Sequence, residues 1–411
     1  MSRLLLLFVL LVATSGIATA GDWPQILGPQ RNGIATEEKL AKKWPVGGPP
    51  VVWERSVGHG YAGVAVEGER AVLFHRVKDE EVTECLNANT GETLWKQAHA
   101  TDFYPQVGGA DGPLCVPVIS QGHVVTFGAQ GVLSCFKLDS GEELWTRKTH
   151  EDYGALEGYF GAGATPIVVG ELVLVNVGGS KEEAGVVAFD LATGETKWTR
   201  TAEPASYSAP VEVTLEGIPH VLMITRYKCI LFEAESGAAR FEIPFGQRGP
   251  TVNAATPLVI DNKQLFLTAS YGIGSVLADF DILHYSPVWE DDAPLATQYC
   301  TPIHQNGLLY CIDGREDQPP ADLKCIELKT GKLKWVEHNF GYGTVLFADE
   351  KLIIQKNDGD VILAHVDETG YRQLSHAKLL SGEVRALPAL SNGRLFIRDA
   401  KTLKCVDIGL K

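Results

Sequence analysis

The sequence predicts an all-β chain folded as an eight-bladed β-propeller whose last blade is closed by the N-terminal strand. Three observations predict it. A strand–turn–strand phrase recurs along the chain, a short proline-led apolar strand recurs with the same period, and the final repeat lacks a strand that the N-terminus can supply.

The phrase is plainest at Val186-Val187-Ala188-Phe189-Asp190-Leu191-Ala192-Thr193-Gly194-Glu195-Thr196-Lys197-Trp198, an apolar strand, a tight turn and a second strand opening on Trp. It recurs at residues 84–95, 134–145 and 324–335, with worn copies at 231–241 and 364–374. The turn glycines, Gly91, Gly141, Gly194, Gly237, Gly331 and Gly370, are expected at positive φ, which costs a residue without Cβ nothing. The Trp four residues later opens an outer strand, where a large flat ring can wedge between neighbouring sheets. A degenerate copy ending at Trp289 fills the gap between Gly237 and Gly331. Seven units of about 40 to 50 residues result, the range of four-stranded propeller blades.

The second landmark stands at Val116-Pro117, Thr165-Pro166, Ala209-Pro210, Thr256-Pro257, Thr301-Pro302 and Leu387-Pro388. Proline suits the start of a strand, where no ladder hydrogen bond is lost. The unit beginning at Leu387 ends at Lys411 without its Trp strand. Pro50-Val51-Val52-Trp53-Glu54-Arg55 has the pattern of an outer strand with no inner strands before it, so it is expected to complete the eighth blade. Closure removes the exposed sheet edges that make all-β chains aggregate.

The repeated A-F-D-x-x-T-G-x-x-x-W phrase resembles the pyrroloquinoline-quinone (PQQ) repeat of eight-bladed propellers. The resemblance covers nearly all of the chain after Trp23. Proteins with this fold include quinoprotein dehydrogenases and non-enzymatic proteins, among them the propeller lipoprotein of the outer-membrane protein assembly machinery. Asp22-Trp23-Pro24-Gln25, Gly28-Pro29 and Arg31-Asn32-Gly33 further resemble the prelude of secreted bacterial proteins with PQQ-like repeats.

Residues 1–20 combine Arg3, an apolar run from Leu4 to Val12 and the triplet Ala18-Thr19-Ala20, the pattern of a cleavable signal peptide. The mature chain is expected to begin at Gly21, where a lipoprotein needs Cys. No later stretch approaches the roughly 20 apolar residues of a membrane-spanning helix. The expected product is a periplasmic or extracellular monomer without lipid anchor or membrane span. Residues 21–48 read as an irregular arm over one face of the ring, and 49–411 as the propeller. With 51 acidic against 36 basic residues the formal net charge is −15. That balance argues against nucleic acid as a partner, because neutralising phosphates needs clustered Lys and Arg.

Eight cysteines in an exported chain invite a disulfide framework, yet most do not fit one. Cys85, Cys135, Cys325 and Cys405 hold the third-strand position of Ala188, and equivalent positions in adjacent blades are too far apart to bridge. They are expected to pack as unpaired small hydrophobes. Cys300 and Cys311 flank His304-Gln305-Asn306-Gly307. A turn centred on Gln305-Asn306 sets them face to face, and one centred on Asn306-Gly307 misaligns them.

The quinoprotein resemblance implies PQQ gripped by an adjacent Cys-Cys disulfide, with calcium held by Glu, Asn and Asp. No two cysteines are adjacent here, although Asn253, Glu157 and Asp111 carry oxygens suited to calcium. The chain has no C-x-x-C, H-E-x-x-H or G-x-S-x-G pattern. What remains is positional. Ring symmetry carries the loop entering each innermost strand to one end of the channel, gathering Tyr61, Asp111, Phe160, Tyr207, Asn253, Gln298, Tyr299, Tyr342 and Arg385. Tyr61, Asp111, Tyr207, Asn253, Gln298 and Arg385 are the expected binding ring for a small polar ligand or another exported protein. Arg385 is the expected anchor, because its planar fork can hold a carboxylate through two hydrogen bonds. The first reading of function is a non-catalytic binding or scaffold protein with no cofactor and no metal. The second is a PQQ- and calcium-dependent oxidoreductase of alcohols or sugars.

Overall fold

A computed structural model describes residues 21–249 and 251–410, so the expected signal peptide lies outside the described residues. Eight sheets of antiparallel meanders succeed one another along the described residues, and all but the last add their strands outward in sequence order. Blades 1 to 7 comprise residues 64–100, 118–148, 167–200, 211–244, 258–291, 303–337 and 343–378. Blade 8 takes its three inner strands from residues 389–407 and its outer strand, Val51–Ser56, from the N-terminus. Trp53 pairs with Cys405 in that seam, so the ring closes as the unfinished last repeat predicts. Each proline landmark lies immediately before an innermost strand, as at Pro166 before Ile167–Val169 and Pro302 before Ile303–Gln305.

The repeated phrase welds neighbouring blades. Gly91, Gly141, Gly194, Gly237 and Gly331 all have φ between 66° and 75°. Their lack of a side chain serves a second purpose. A Cβ at Gly91, Gly141, Gly194 or Gly237 would come within 2.7 Å of the indole of Trp53, Trp95, Trp145 or Trp198 from the preceding blade. Each of those indoles donates its N–H to a carbonyl just before the same turn: Trp53 to Ala88, Trp95 to Leu138, Trp145 to Leu191 and Trp198 to Ala234. Trp289 and Trp335 do the same to Leu328 and Asp367.

Burial of the ring varies around the molecule. Trp53, Trp145 and Trp198 are buried, whereas Trp95 and Trp335 are half-buried, less than the wedge reading expects. Beside Trp335 the worn copy in blade 7 has a tighter Asp367–Gly370 hairpin, and Gly370 lacks the positive φ of its counterparts.

The cysteine positions follow from the same wedge. Cys85, Cys135, Cys325 and Cys405 lie directly across the strand pair from Trp95, Trp145, Trp335 and Trp53, as Ala188 lies across from Trp198. A small side chain there leaves room for the ring. All eight cysteines are free and buried. In blade 6 Ile303 pairs with Tyr310, which centres the turn on Asn306-Gly307 and sets Cys311 opposite Pro302 instead of Cys300. The misaligned register is the one realised.

Two features depart from the sequence reading. A five-residue helix, Thr149–Tyr153, joins blades 2 and 3 where only β structure and turns are expected. The arm of residues 21–48 is less irregular than expected. Its Ile34–Ala35 pairs in parallel with Gly343–Ala348 and adds a fifth, innermost strand to blade 7. Trp23 bridges to Val66 and Leu40 to Gly409, and Trp23, Leu27 and Leu40 are almost wholly buried. The Trp23 and Ile34–Ala35 contacts fall at the far ends of innermost strands and that of Leu40 just past Thr402–Asp407 in blade 8, so the arm seals the face opposite the entry loops.

Candidate functional site

Arg31 is the arm's deepest anchor. Its guanidinium is fully buried in the channel and donates to the carbonyls of Pro166 and Pro210, while its Nε donates to Gln25 Oε1 at 2.8 Å. Burial lowers its pKa to about 9, with Glu212 partly offsetting the effect. The channel is therefore blocked from one face and becomes a blind cup of about 190 Å³ opening on the other, with Ile26 in its lining.

The cup wall is built from entry-loop residues, as the ring symmetry requires. Tyr61, Tyr207, Gln298 and Arg385 line it together with Phe160 and Tyr299. Burial alternates along these loops: Arg385 and Leu387 face the cup, whereas Val384 before them and Ala386 between them are buried in the core. The same alternation removes Asn253. Val252 and Ala254 line the cup, while the Asn253 side chain turns into the protein and donates to the carbonyls of Thr225 and Arg226 at 3.2 and 3.1 Å. Asp111 also lies off the cup wall, which receives Ala110; its carboxylate meets His59 Nδ1 at 2.9 Å. Tyr342 is buried behind Tyr299, and its hydroxyl accepts the Tyr299 N–H at 2.8 Å.

Arg385 is not a free fork. Its Nε donates to Glu316 Oε1 at 2.9 Å and its Nη2 lies 2.8 Å from Glu383 Oε1. Its guanidinium also stacks 5.1 Å from the centre of the Tyr61 ring, whose hydroxyl donates to Glu383 Oε2 at 3.0 Å. Tyr299 donates to Glu316 Oε2 at 3.3 Å and accepts from Asn357 Nδ2 at 2.6 Å. Gln298 Oε1 fixes the loop by accepting the Glu316 N–H at 2.9 Å. Burial raises the Glu316 carboxyl above its ordinary value, and Arg385 pulls it back. The cluster thus holds two carboxylates around one guanidinium.

Ile26, Glu316 and Glu383 were not among the residues the sequence reading assembled. Glu383 stands two residues before Arg385 in the same loop. Glu316 comes from the charged, proline-bearing connection Gly314-Arg315-Glu316-Asp317-Gln318-Pro319-Pro320, whose length interrupts the short-hairpin pattern and is the signal that could have found it. Among the described residues no three His, Cys, Asp or Glu side chains converge as a metal site.

The family described as Outer membrane protein assembly factor BamB matches residues 78–337, more than half of the chain. The chain belongs to this family. Among solved structures, BamB from Moraxella catarrhalis is 14% identical, with a TM-score of 0.64 over 87% of this chain and 99% of that one. The quinohemoprotein alcohol dehydrogenase from Comamonas testosteroni is 13% identical, with a TM-score of 0.68 over 96% of this chain and 82% of that one. A computationally designed protein, Ika8, reaches 0.58 at 14% identity, over 88% of this chain and the whole of its own. At such identities the likeness shows the propeller alone, shared by a BamB, a dehydrogenase and a design. No curated protein matches the chain.

Proposed function

We propose that this BamB-family propeller is an exported, non-catalytic binding or scaffold protein that takes a partner protein's side chain into the cup. The observation that carries this reading is the group of exposed apolar side chains on the two entry loops that meet beside the cup. Phe160 in the cup wall packs on Tyr159, and the Tyr159 carbonyl accepts the Gln106 N–H at 2.9 Å. Around that contact Tyr104, Val107 and Leu156 are 68%, 55% and 89% exposed. Clustered exposed apolar groups mark interaction sites, whereas Leu94, Val288 and Leu333 lie singly on outer strands. The family description, an assembly factor for outer membrane proteins, agrees with a role in binding proteins.

The PQQ reading fits these residues poorly. Small-molecule pockets usually span roughly 300 to 1,000 Å³, and the cup holds about 190 Å³. The residues suited to calcium are committed elsewhere: the Asn253 amide is turned into the core by donating through Nδ2 to backbone carbonyls, Glu157 accepts from Gln130 at 3.0 Å, and Asp111 pairs with His59.

The test has two arms. A photo-crosslinking residue at Tyr159 is expected to capture a protein partner in the native periplasm, whereas the same residue at Leu94 is not. The purified chain supplied with PQQ, calcium, an artificial electron acceptor and a panel of alcohols and sugars is expected to show no turnover. Turnover, or equal capture at both positions, overturns the proposal.

A further inference from the structure

The chemistry of the cup's occupant follows from how charge is layered in its wall. Along the blade 8 entry loop Glu383, Arg385 and Leu387 come in that order before the innermost strand Ala389–Ser391. Leu387 and the arm's Ile26 line the depth of the cup with Leu114 and Val116, so the floor is aliphatic. The Glu383 side chain is 51% exposed and the Arg385 side chain 30% exposed, which places the carboxylate toward the mouth.

Arg385 already shares its charge with two carboxylates, Glu316 and Glu383, both within 2.9 Å of its nitrogens. An incoming anion would therefore meet a guanidinium that is already neutralised and a second carboxylate that is not. An incoming cation meets the surplus carboxylate at Glu383, on a cluster of two carboxylates and one guanidinium. Charge of this kind at the rim selects among partners more than it adds raw affinity.

Resting on the reading of the cup as a protein-docking site, we infer that its occupant is a peptide segment presenting one large apolar side chain beside a Lys or Arg. The apolar group fills the aliphatic floor, and the neighbouring cation pairs with Glu383 at the mouth. An acidic segment is excluded by the same carboxylates.

The experiment titrates the mature chain at low salt, by NMR or calorimetry, with acetylated and amidated Lys-Phe-Lys, Glu-Phe-Glu and Lys-Ser-Lys. Lys-Phe-Lys is expected to bind about tenfold more tightly than either of the others, the factor given by about 1.4 kcal/mol. Glu383→Gln, at an exposed position that leaves the fold intact, is expected to shrink the gap between the Lys and Glu peptides to about threefold, as loss of one rim charge should. Because the whole chain is acidic, this local variant separates the cup from the general field. Ala254→Phe, which narrows the cup, is expected to abolish the preference for Phe over Ser. Equal or tighter binding of Glu-Phe-Glu overturns the charge assignment while leaving the cup a docking site. Equal binding of Lys-Phe-Lys and Lys-Ser-Lys overturns the apolar half, and a gap untouched by Glu383→Gln overturns the role of that residue. Failure of every peptide to bind at millimolar concentration overturns the docking reading itself, and the inference with it.

Discussion

The indole N–H of Trp145 donates to the Leu191 carbonyl at 2.8 Å from across the gap between blades 2 and 3. The same ring lies on Gly194, where a Cβ would stand 2.6 Å from it. One contact therefore explains both fixed letters of the repeat. Trp145→Ala is expected to cost about 3 to 5 kcal/mol through the cavity and the lost contacts. Gly194→Ala is expected to cost about 2 to 4 kcal/mol, combining left-handed backbone strain with a steric clash. Gly370→Ala is the control. An added Cβ there meets no atom within 4 Å among the described residues, so the change is expected to stay within about 0.5 kcal/mol. Urea unfolding of the three variants checks the ranking.

Ring closure gives a second prediction. Deleting residues up to 59 removes Val51–Ser56 and leaves Thr402–Asp407 as an open edge. The truncated chain is expected to melt earlier and to form soluble aggregates in size-exclusion chromatography. A truncated protein as monomeric and heat-stable as the full one would contradict the seam.

Arg31 tests the plug. Arg31→Met keeps most of the side-chain volume but strands the carbonyls of Pro166 and Pro210. The expected loss is about 2 to 3 kcal/mol, the scale of buried hydrogen bonds to a charged group. Limited proteolysis is expected to cut the variant between residues 21 and 48 while sparing the blades.

Two buried groups oppose one another in mildly acid solution. Burial lowers the His150 imidazole from 6.5 to about 4, with Glu157 pulling it partly back. Stability that His150 supplies above pH 6.5 is therefore lost as pH falls toward 4. Burial raises the Glu81 carboxyl from 4.5 to about 7, despite its bond from the Ala129 N–H and the nearby Arg76. Stability linked to its protonation is present below pH 4.5 and lost as pH rises through 7. Each effect is on the order of 3 kcal/mol and they nearly cancel between pH 4.5 and 6.5. His150→Gln is expected to lose stability, relative to the parent's own profile, as pH rises through this window. Glu81→Gln is expected to lose it as pH falls. Urea midpoints at pH 4.5, 5.5, 6.5 and 7 distinguish the two slopes.

The sequence by itself determined the blade count, the closing strand and the position, though not the burial, of each outer-strand Trp, because these depend on spacing and on a period-two pattern that survives in worn copies such as Leu231–Phe241. It determined that entry loops meet at one mouth, since that is a consequence of ring symmetry. Which side chain of each loop faces the cup was decided by the tertiary structure. A one-residue change of parity reverses inward and outward, so Asn253 turns into the core while Val252 and Ala254 face the channel. The tertiary structure also decided the state of Arg385, whose partner Glu316 lies 69 positions away on another blade's connection. No local spacing encodes that meeting, or the reach of Arg31 to carbonyls 135 and 179 positions along the chain. Such contacts form only when the closed ring brings remote segments to one axis, and they set both the floor of the cup and the charge at its mouth.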